Sequence, residues 1–120
     1  MLFDTTQLAL ERSISGAAQR HEALSANIAN ASTPGYQRVD VDFHGALAAA
    51  MGSSDARHSI ERTGFTTQAD RSVGVTKADG GSIDVDAESA KLAANALEQQ
   101  AAVAVARTRN AILRSAMGVG

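Results

Sequence analysis

The sequence predicts an all-α fold in which long N- and C-terminal helices pair as a coiled-coil-like hairpin, with a short irregular or small β middle segment. Three features of the 120-residue chain point there. Small and apolar residues recur at steps of four and three from Leu10 to Ala31. A second such run extends from about Asp86 to Met117. Between them, Ser, Thr, Asp, Arg and Gly interrupt every periodic stretch from Gly52 to Gly81.

The first helix is expected from about Asp4 to about Asn30. Asp4 can cap it, with Gln7 three residues on in a capping-box relation. Leu10, Ile14, Ala17, His21, Leu24, Ile28 and Ala31 form a narrow seam of period 3.5, suited to a neighbouring helix. At 1.5 Å per residue such a helix is a rod of roughly 40 Å, too long to wrap a small globule. His21 on this seam reads as a half-buried side chain making one hydrogen bond.

The helix must stop before Pro34, which pushes Thr33 out of the α region. In Thr33-Pro34-Gly35-Tyr36, Pro and Gly stand where a type II turn needs them. Val39, Val41 and Phe43 then alternate with Asp40, Asp42 and His44, an extended piece with one apolar face. Phe43, Leu47 and Met51, four apart in Ala-rich sequence, predict about two turns of helix. The middle that follows reads as a loop or a small β-hairpin, with Val73 and Val75 hinting at a strand and Asp79-Gly80-Gly81 marking a turn.

The last helix is expected from about Asp86 to Met117. Asp84, Asp86 and Glu88 at its start and Arg107, Arg109 and Arg114 near its end complement its dipole. Ala93, Leu97, Ala101, Ala104, Thr108 and Ile112 make one stripe, widened by Leu92, Val103, Val105 and Leu113, and Gly118 and Gly120 end the helix. The organisation is thus residues 1–35 (helix and turn), 36–82 (variable middle) and 83–120 (helix), with the terminal helices forming one domain.

Composition narrows the function. Of the 44% hydrophobic residues, 25 are Ala, while Leu, Ile, Val and Phe number only 24. The four aromatics are Phe3, Tyr36, Phe43 and Phe65. Neither end can bury its apolar stripe alone, so association is the natural remedy. A net charge of −2 provides no basic stripe for nucleic acid. The absence of Cys excludes disulfides and thiolate metal sites. No apolar run of about 18 residues could span a bilayer, and Met1-Leu-Phe-Asp-Thr-Thr lacks the basic start and apolar stretch of a Sec signal peptide.

One motif is more specific. The stretch Leu24-Ser-Ala-Asn27-Ile28-Ala29-Asn30-Ala-Ser-Thr33-Pro34-Gly35-Tyr36 resembles the signature of the bacterial flagellar axial proteins of rod, hook and hook-filament junction. In that family an Asn-Ile-Ala-Asn core is followed by Thr-Pro-Gly-Tyr. Arg38-Val-Asp-Val-Asp-Phe43 and Asp79-Gly-Gly-Ser-Ile-Asp-Val-Asp-Ala-Glu88, followed by Ala93, Asn95 and Leu97, resemble the basal-body rod proteins of the proximal segment. The likeness covers roughly residues 8–43 and 79–115 and leaves out 52–78.

The resemblance implies a non-enzymatic structural subunit of the proximal rod, part of a drive shaft that transmits torque and lines the export channel. It implies an assembly motif of Asn27, Ile28, Ala29, Asn30, Thr33, Pro34, Gly35 and Tyr36, and no cofactor. The implied partners are copies of the chain, other rod subunits, and export-gate and adaptor proteins of the basal body. The implied location is the basal body rod in the periplasmic space, reached by flagellar type III export without signal cleavage. Leu10, Ile14, Leu24, Leu97 and Ile112, with Ile28, are expected to pack in the core shared between subunits.

Physical chemistry supplies its own reading of the motif. Asn27 and Asn30 share a helix face and can satisfy loose carbonyls or bridge to a neighbour. A plain C-cap and turn would place the same residues, and either way the stop sets subunit geometry. Asp40, Asp42 and His44 would share one strand face as O/N metal ligands, but no second ligand cluster accompanies them, so a solvated face is expected. There is no Gly-x-Ser-x-Gly elbow or phosphate loop, and the acidic run before the last helix lacks calcium-loop spacing and reads as capping. The competing class is a cytoplasmic helical hairpin that offers its stripe to one dissimilar partner. That hairpin would be folded alone, whereas a rod subunit gains helix on assembly.

Overall fold

The computed structural model describes residues 4–70 and 83–118. In chain order the elements are helix α1 (Thr5–Ala29), strand β1 (Val39–Asp40), helix α2 (Phe43–Met51), helix α3 (Ala56–Arg62), strand β2 (Gln68–Ala69) and helix α4 (Val85–Ala116). The fold is all-α with a small antiparallel β pair: Val39 faces Ala69 and Asp40 faces Gln68. The molecule is an elongated slab of 62 × 32 × 15 Å.

Local chemistry sets the helix ends. Asp4 caps α1 by accepting the Gln7 N–H at 2.8 Å. Only this half of the capping box forms: Gln7 itself turns inward and is buried. Asp42 caps α2 through Gly45 N–H at 3.0 Å, Asp55 caps α3 through His58 N–H at 3.3 Å, and Asp84 caps α4 through Asp86 and Ala87. Each is the short-side-chain acceptor that orphaned N–H groups at a helix start require. At the far end of α4, Gly118 takes φ +72°, the left-handed conformation that stops a helix.

α1 lies between two layers. On one side stands α4; on the other stand α2 and α3. Phe43, Leu47 and Ala50 of α2 and Ile60 of α3 pack with Val41, Ala17 and Ala23 into the apolar core, with Phe65 edge-on to Phe43 at 6.1 Å. Gly16 makes this approach possible, because a Cβ there would sit 2.5 Å from Phe43 Cβ. α4 runs antiparallel to α1, tied by Arg109 to Asp4 at one end and by Glu88 to Asn27 at the other.

Four expectations need correction. The stretch after the turn is a strand only at Val39–Asp40, since Asp42 starts a helix and carries Phe43 and His44 into it. Within α2 the third inward position is Ala50, seven residues after Phe43, and Met51 points out at 53% exposure. The segment read as loop contains α3, held by its cap and by Ile60. His21 is exposed rather than half-buried. The residues that close α1 around that level are Ala23, Leu24 and Asn27, where α1 meets β1 as well as α4. The strand hint at Val73 and Val75 and the Asp79-Gly80-Gly81 turn lie outside the described residues.

Candidate assembly site

The turn that ends α1 is built as its residues dictate. Tyr36 N–H donates to Thr33 C=O at 3.2 Å, and Gly35 takes φ +76°, as the third residue of a type II turn must. Asn30 caps the helix, its Nδ2 donating to Ala26 C=O at 2.9 Å while its Oδ1 accepts from the Thr33 hydroxyl at 3.2 Å. Ala29, Thr33, Pro34 and Gly35 are exposed, and Ile28 and Tyr36 are half-buried.

Asn27 behaves differently. Its side chain is fully buried and pairs with the backbone of Val39 as a neighbouring strand would. Nδ2 donates to Val39 C=O at 2.7 Å and Oδ1 accepts Val39 N–H at 2.9 Å. The second Nδ2 hydrogen reaches Glu88 Oε2 at 3.1 Å. Both donor hydrogens and one acceptor site of a single amide hold α1, β1 and α4 together.

Around this clamp runs a charge network. Arg38 bonds Glu88, Asp70 and Asp40, the last at 2.9 Å, and Arg20 bonds Asp40, also at 2.9 Å. Burial works against the Arg38 charge, but its bonds to Glu88 and Asp40 outweigh that and raise its pKa. For Asp40, burial would raise the pKa, yet hydrogen bonds from Arg20, Val41 N–H and Arg38 lower it. Glu88 is thus the buried anchor of the network rather than a capping residue. Asp40, Asp42 and His44 are each engaged separately, with the arginines, the α2 N-terminus and Glu98. Of the C-terminal basic residues, Arg109 pairs within the chain, with Asp4 at 2.7 Å.

The two faces of α4 divide its residues. Glu88, Leu92, Asn95, Gln99, Ala102, Ala106, Arg109 and Leu113 follow one another at steps of four and three and are buried or half-buried. Asn95 Nδ2 donates to Ala17 C=O at 2.8 Å and Gln99 Nε2 to Ile14 C=O at 3.4 Å. The internal seam is therefore polar and alanine-rich. The predicted apolar stripe faces away from it: Ala93, Leu97, Ala101, Ala104, Thr108 and Ile112 are all exposed, Leu97 at 67% and Ile112 at 62%. Leu97, Ala101, Ala104 and Thr108 each follow a seam residue by two positions, about 200° around the helix. Leu10 and Ile14 are half-buried, whereas Leu24, expected in the core shared between subunits, is fully buried within the single chain and has no surface left for a neighbour.

Comparison with known proteins gives this geometry its setting. The family model described as "Flagella basal body rod protein" matches residues 13–37, from the middle of α1 through the turn. The flagellar basal body rod protein FlgB of Proteus mirabilis strain HI4320 is 37% identical over 100 residues, covering 71% of this chain and 73% of that protein. The chain belongs to the FlgB flagellar basal body rod protein family. The FlgB proteins of Escherichia coli K12 (37% over 98 residues; 69% of this chain, 71% of that one) and Cereibacter sphaeroides (32% over 106 residues; 82% of each) are further similar members. Among the described residues no helix is long and apolar enough to cross a membrane.

The sequence pointed to Asn27 through the motif but not to its partners. Glu88 could have been found from spacing, because it continues the Leu92–Asn95–Gln99 seam by one step of four. Arg38 carries no such signal, since its three carboxylate partners come from positions 40, 70 and 88.

Proposed function

We propose that this chain is a structural subunit of the proximal rod, part of the drive shaft that transmits torque and surrounds the export channel. Its membership of the basal body rod family supports the structural role. The observation that carries the finer reading is the outward stripe of α4: a 32-residue helix turns a polar seam inward and its Leu97–Ile112 face outward. An apolar face of that length, rich in Ala, suits close lateral packing against neighbouring helices. Burial at about 25 cal/mol per Å² makes many small contacts add up, and dense packing resists torsion.

In this reading the terminal helices form one assembling domain and residues 36–82 the variable middle segment, whose α2 and α3 pack back onto α1. Leu10, Ile14 and Ile28 of α1 join Leu97 and Ile112 of α4 in the core shared between subunits, and the Asn27–Tyr36 motif fixes the angle at which the middle leaves the helices. The partners are copies of the chain, other rod subunits, and the export-gate and adaptor proteins at its base. The location is the rod in the periplasmic space, reached without a cleaved signal peptide, and the role is not catalytic.

A Leu97→Asp, Ile112→Asp double variant tests this. Both side chains are already exposed in the single chain, so the purified variant should keep wild-type helicity while cells carrying it lose rods and motility. Normal swimming would refute the reading.

A further inference from the structure

α4 covers one side of α1, and α2 and α3 cover another, so a narrow strip of α1 stays open. Glu11, Ser15, Ala18, Glu22 and Ala29 are exposed and, with half-buried Ser25, follow one another at steps of four and three. α4 carries a strip of the same spacing: Gln100, Ala104, Arg107, Ala111 and Arg114, all exposed. This edge adjoins the Leu97–Ile112 stripe and shares Ala104 with it. The α1 strip is small and acidic, and the α4 strip is small and basic. Glu11, Glu22, Arg107 and Arg114 form no salt bridge among the described residues.

We propose that the two strips are the halves of one contact, in which α1 of one copy lies antiparallel along the α4 edge of a second copy. With α1 reversed against α4, the matched spacings bring every level into line. Glu11 meets Arg114, Ser15 meets Ala111, Ala18 meets Arg107, Glu22 meets Ala104 and Ser25 meets Gln100. Arg107, Glu22 and Gln100 each face a small residue, which lets the two helix axes come close. Glu22 stands about one turn from Arg107. A hollow of about 400 Å³ lined by Gln99, Gln100, Val103, Ala104 and Arg107 lies at that level to receive it. Run parallel over the same five levels, the strips put Glu11 against Gln100 and Glu22 against Ala111, with no acid directly facing a base. Such pairs add little affinity in water, but across an interface they select partner and direction. The contact cannot close within one chain. There the bonds from 99 to 14 and from 109 to 4 set residue 98 opposite Ser15, about 20 Å along the helix from Ala111. Because the joined surfaces differ, each added copy leaves one strip free, and the array extends instead of closing as a pair. The inference rests on the assembly reading and adds the surface and direction of the partner copy.

The chain has no cysteine, so an engineered pair reports this contact alone. Cells carrying the full chain with Ser15→Cys and Ala111→Cys are oxidised, and the protein is resolved without reductant. Dimers and higher multimers of the chain are expected, whereas either cysteine alone gives no higher multimers. Ser15→Cys with Ala104→Cys, the pair that a parallel arrangement brings together, should give none either. Swimming cells whose 15–111 variant stays monomeric overturn the proposal and leave the rod reading standing. That reading fails separately, if the Leu97→Asp, Ile112→Asp variant swims normally. Multimers from the 15–104 pair, or a single adduct with a different protein, also overturn the proposal. If the two-cysteine variant builds no rods, charge reversal decides. Glu11→Arg with Glu22→Arg, and Arg107→Glu with Arg114→Glu, should each abolish swimming, and the four changes together should restore it. Four changes that restore nothing overturn the proposal.

Discussion

Asn27 completes both backbone hydrogen bonds of Val39, at 2.7 and 2.9 Å, from a helix that contains no strand. A helical side chain thereby serves as the second edge of β1, whose other edge pairs with β2. This makes the chain direction after the Thr33–Tyr36 turn a fixed property of the fold.

Removing that clamp should be expensive. Asn27→Ala leaves the part-buried N–H and C=O of Val39 and one oxygen of buried Glu88 without this partner, at about 1–3 kcal/mol for such groups. Asn27→Ala should therefore lose about 3 kcal/mol in urea unfolding, while Asn30→Ala at the half-buried C-cap, which loses ordinary hydrogen bonds only, loses about 1 kcal/mol. Equal losses would show that the strand-like pairing carries no special weight.

Gly16 and Phe43 are matched in size. Gly16→Ala forces a methyl to within 2.5 Å of Phe43 Cβ, an overpacking that typically costs about 1–3 kcal/mol. Adding Phe43→Ala, which removes the ring carbons at 2.6 and 2.9 Å from that methyl, should make the combined loss smaller than the sum of the single changes. Strict additivity in denaturant titrations would argue against the close approach.

The Arg38–Glu88 pair should behave as a buried ion pair. Arg38→Met leaves Glu88, 2% exposed, without its cation and should lose about 3 kcal/mol. Arg38→Met with Glu88→Met should be less damaging than Arg38→Met alone. Thermal melts of the three proteins decide it.

Asp40 gives a pH signature. Its pKa is lowered from the ordinary value of 3.8 because bonds from Arg20, Val41 N–H and Arg38 overcome the effect of burial. The unfolded chain thus takes up this proton before the folded one as acid is added. The stabilisation is complete above the unfolded value and disappears as pH falls through the lower folded one. Asp40→Asn should be less stable than wild type at pH 7 and show a shallower fall in melting temperature from about pH 4 to pH 2. Parallel curves would contradict the assignment.

The parts of the fold legible in the sequence are those decided locally. Asp4 and Asp84 announce their helices because a carboxylate before a long periodic run has one good use, and Gly35 announces its turn because few residues accept φ +76°. α3 was hidden because its 7 residues are too short for periodicity, and Ile60 gains its burial from the surrounding layers. The stripe Leu97–Ile112 was legible as a stripe, but its direction was not. Apolarity suggests the inside, whereas the inward face holds Asn95, Gln99 and Glu88, whose partners lie 50 to 85 residues away along the chain. The Asn27–Glu88–Arg38 centre was half visible: the motif marks Asn27 and helical spacing can reach Glu88, but no spacing marks Arg38 as their partner.

The most direct measurement is an image of the assembled rod at side-chain resolution. The account predicts that Leu97 and Ile112, 67% and 62% exposed in the single chain, are buried there against helices of neighbouring subunits, with Asn95 and Gln99 still facing α1. Leu97 and Ile112 remaining open to solvent in the assembled shaft would contradict it.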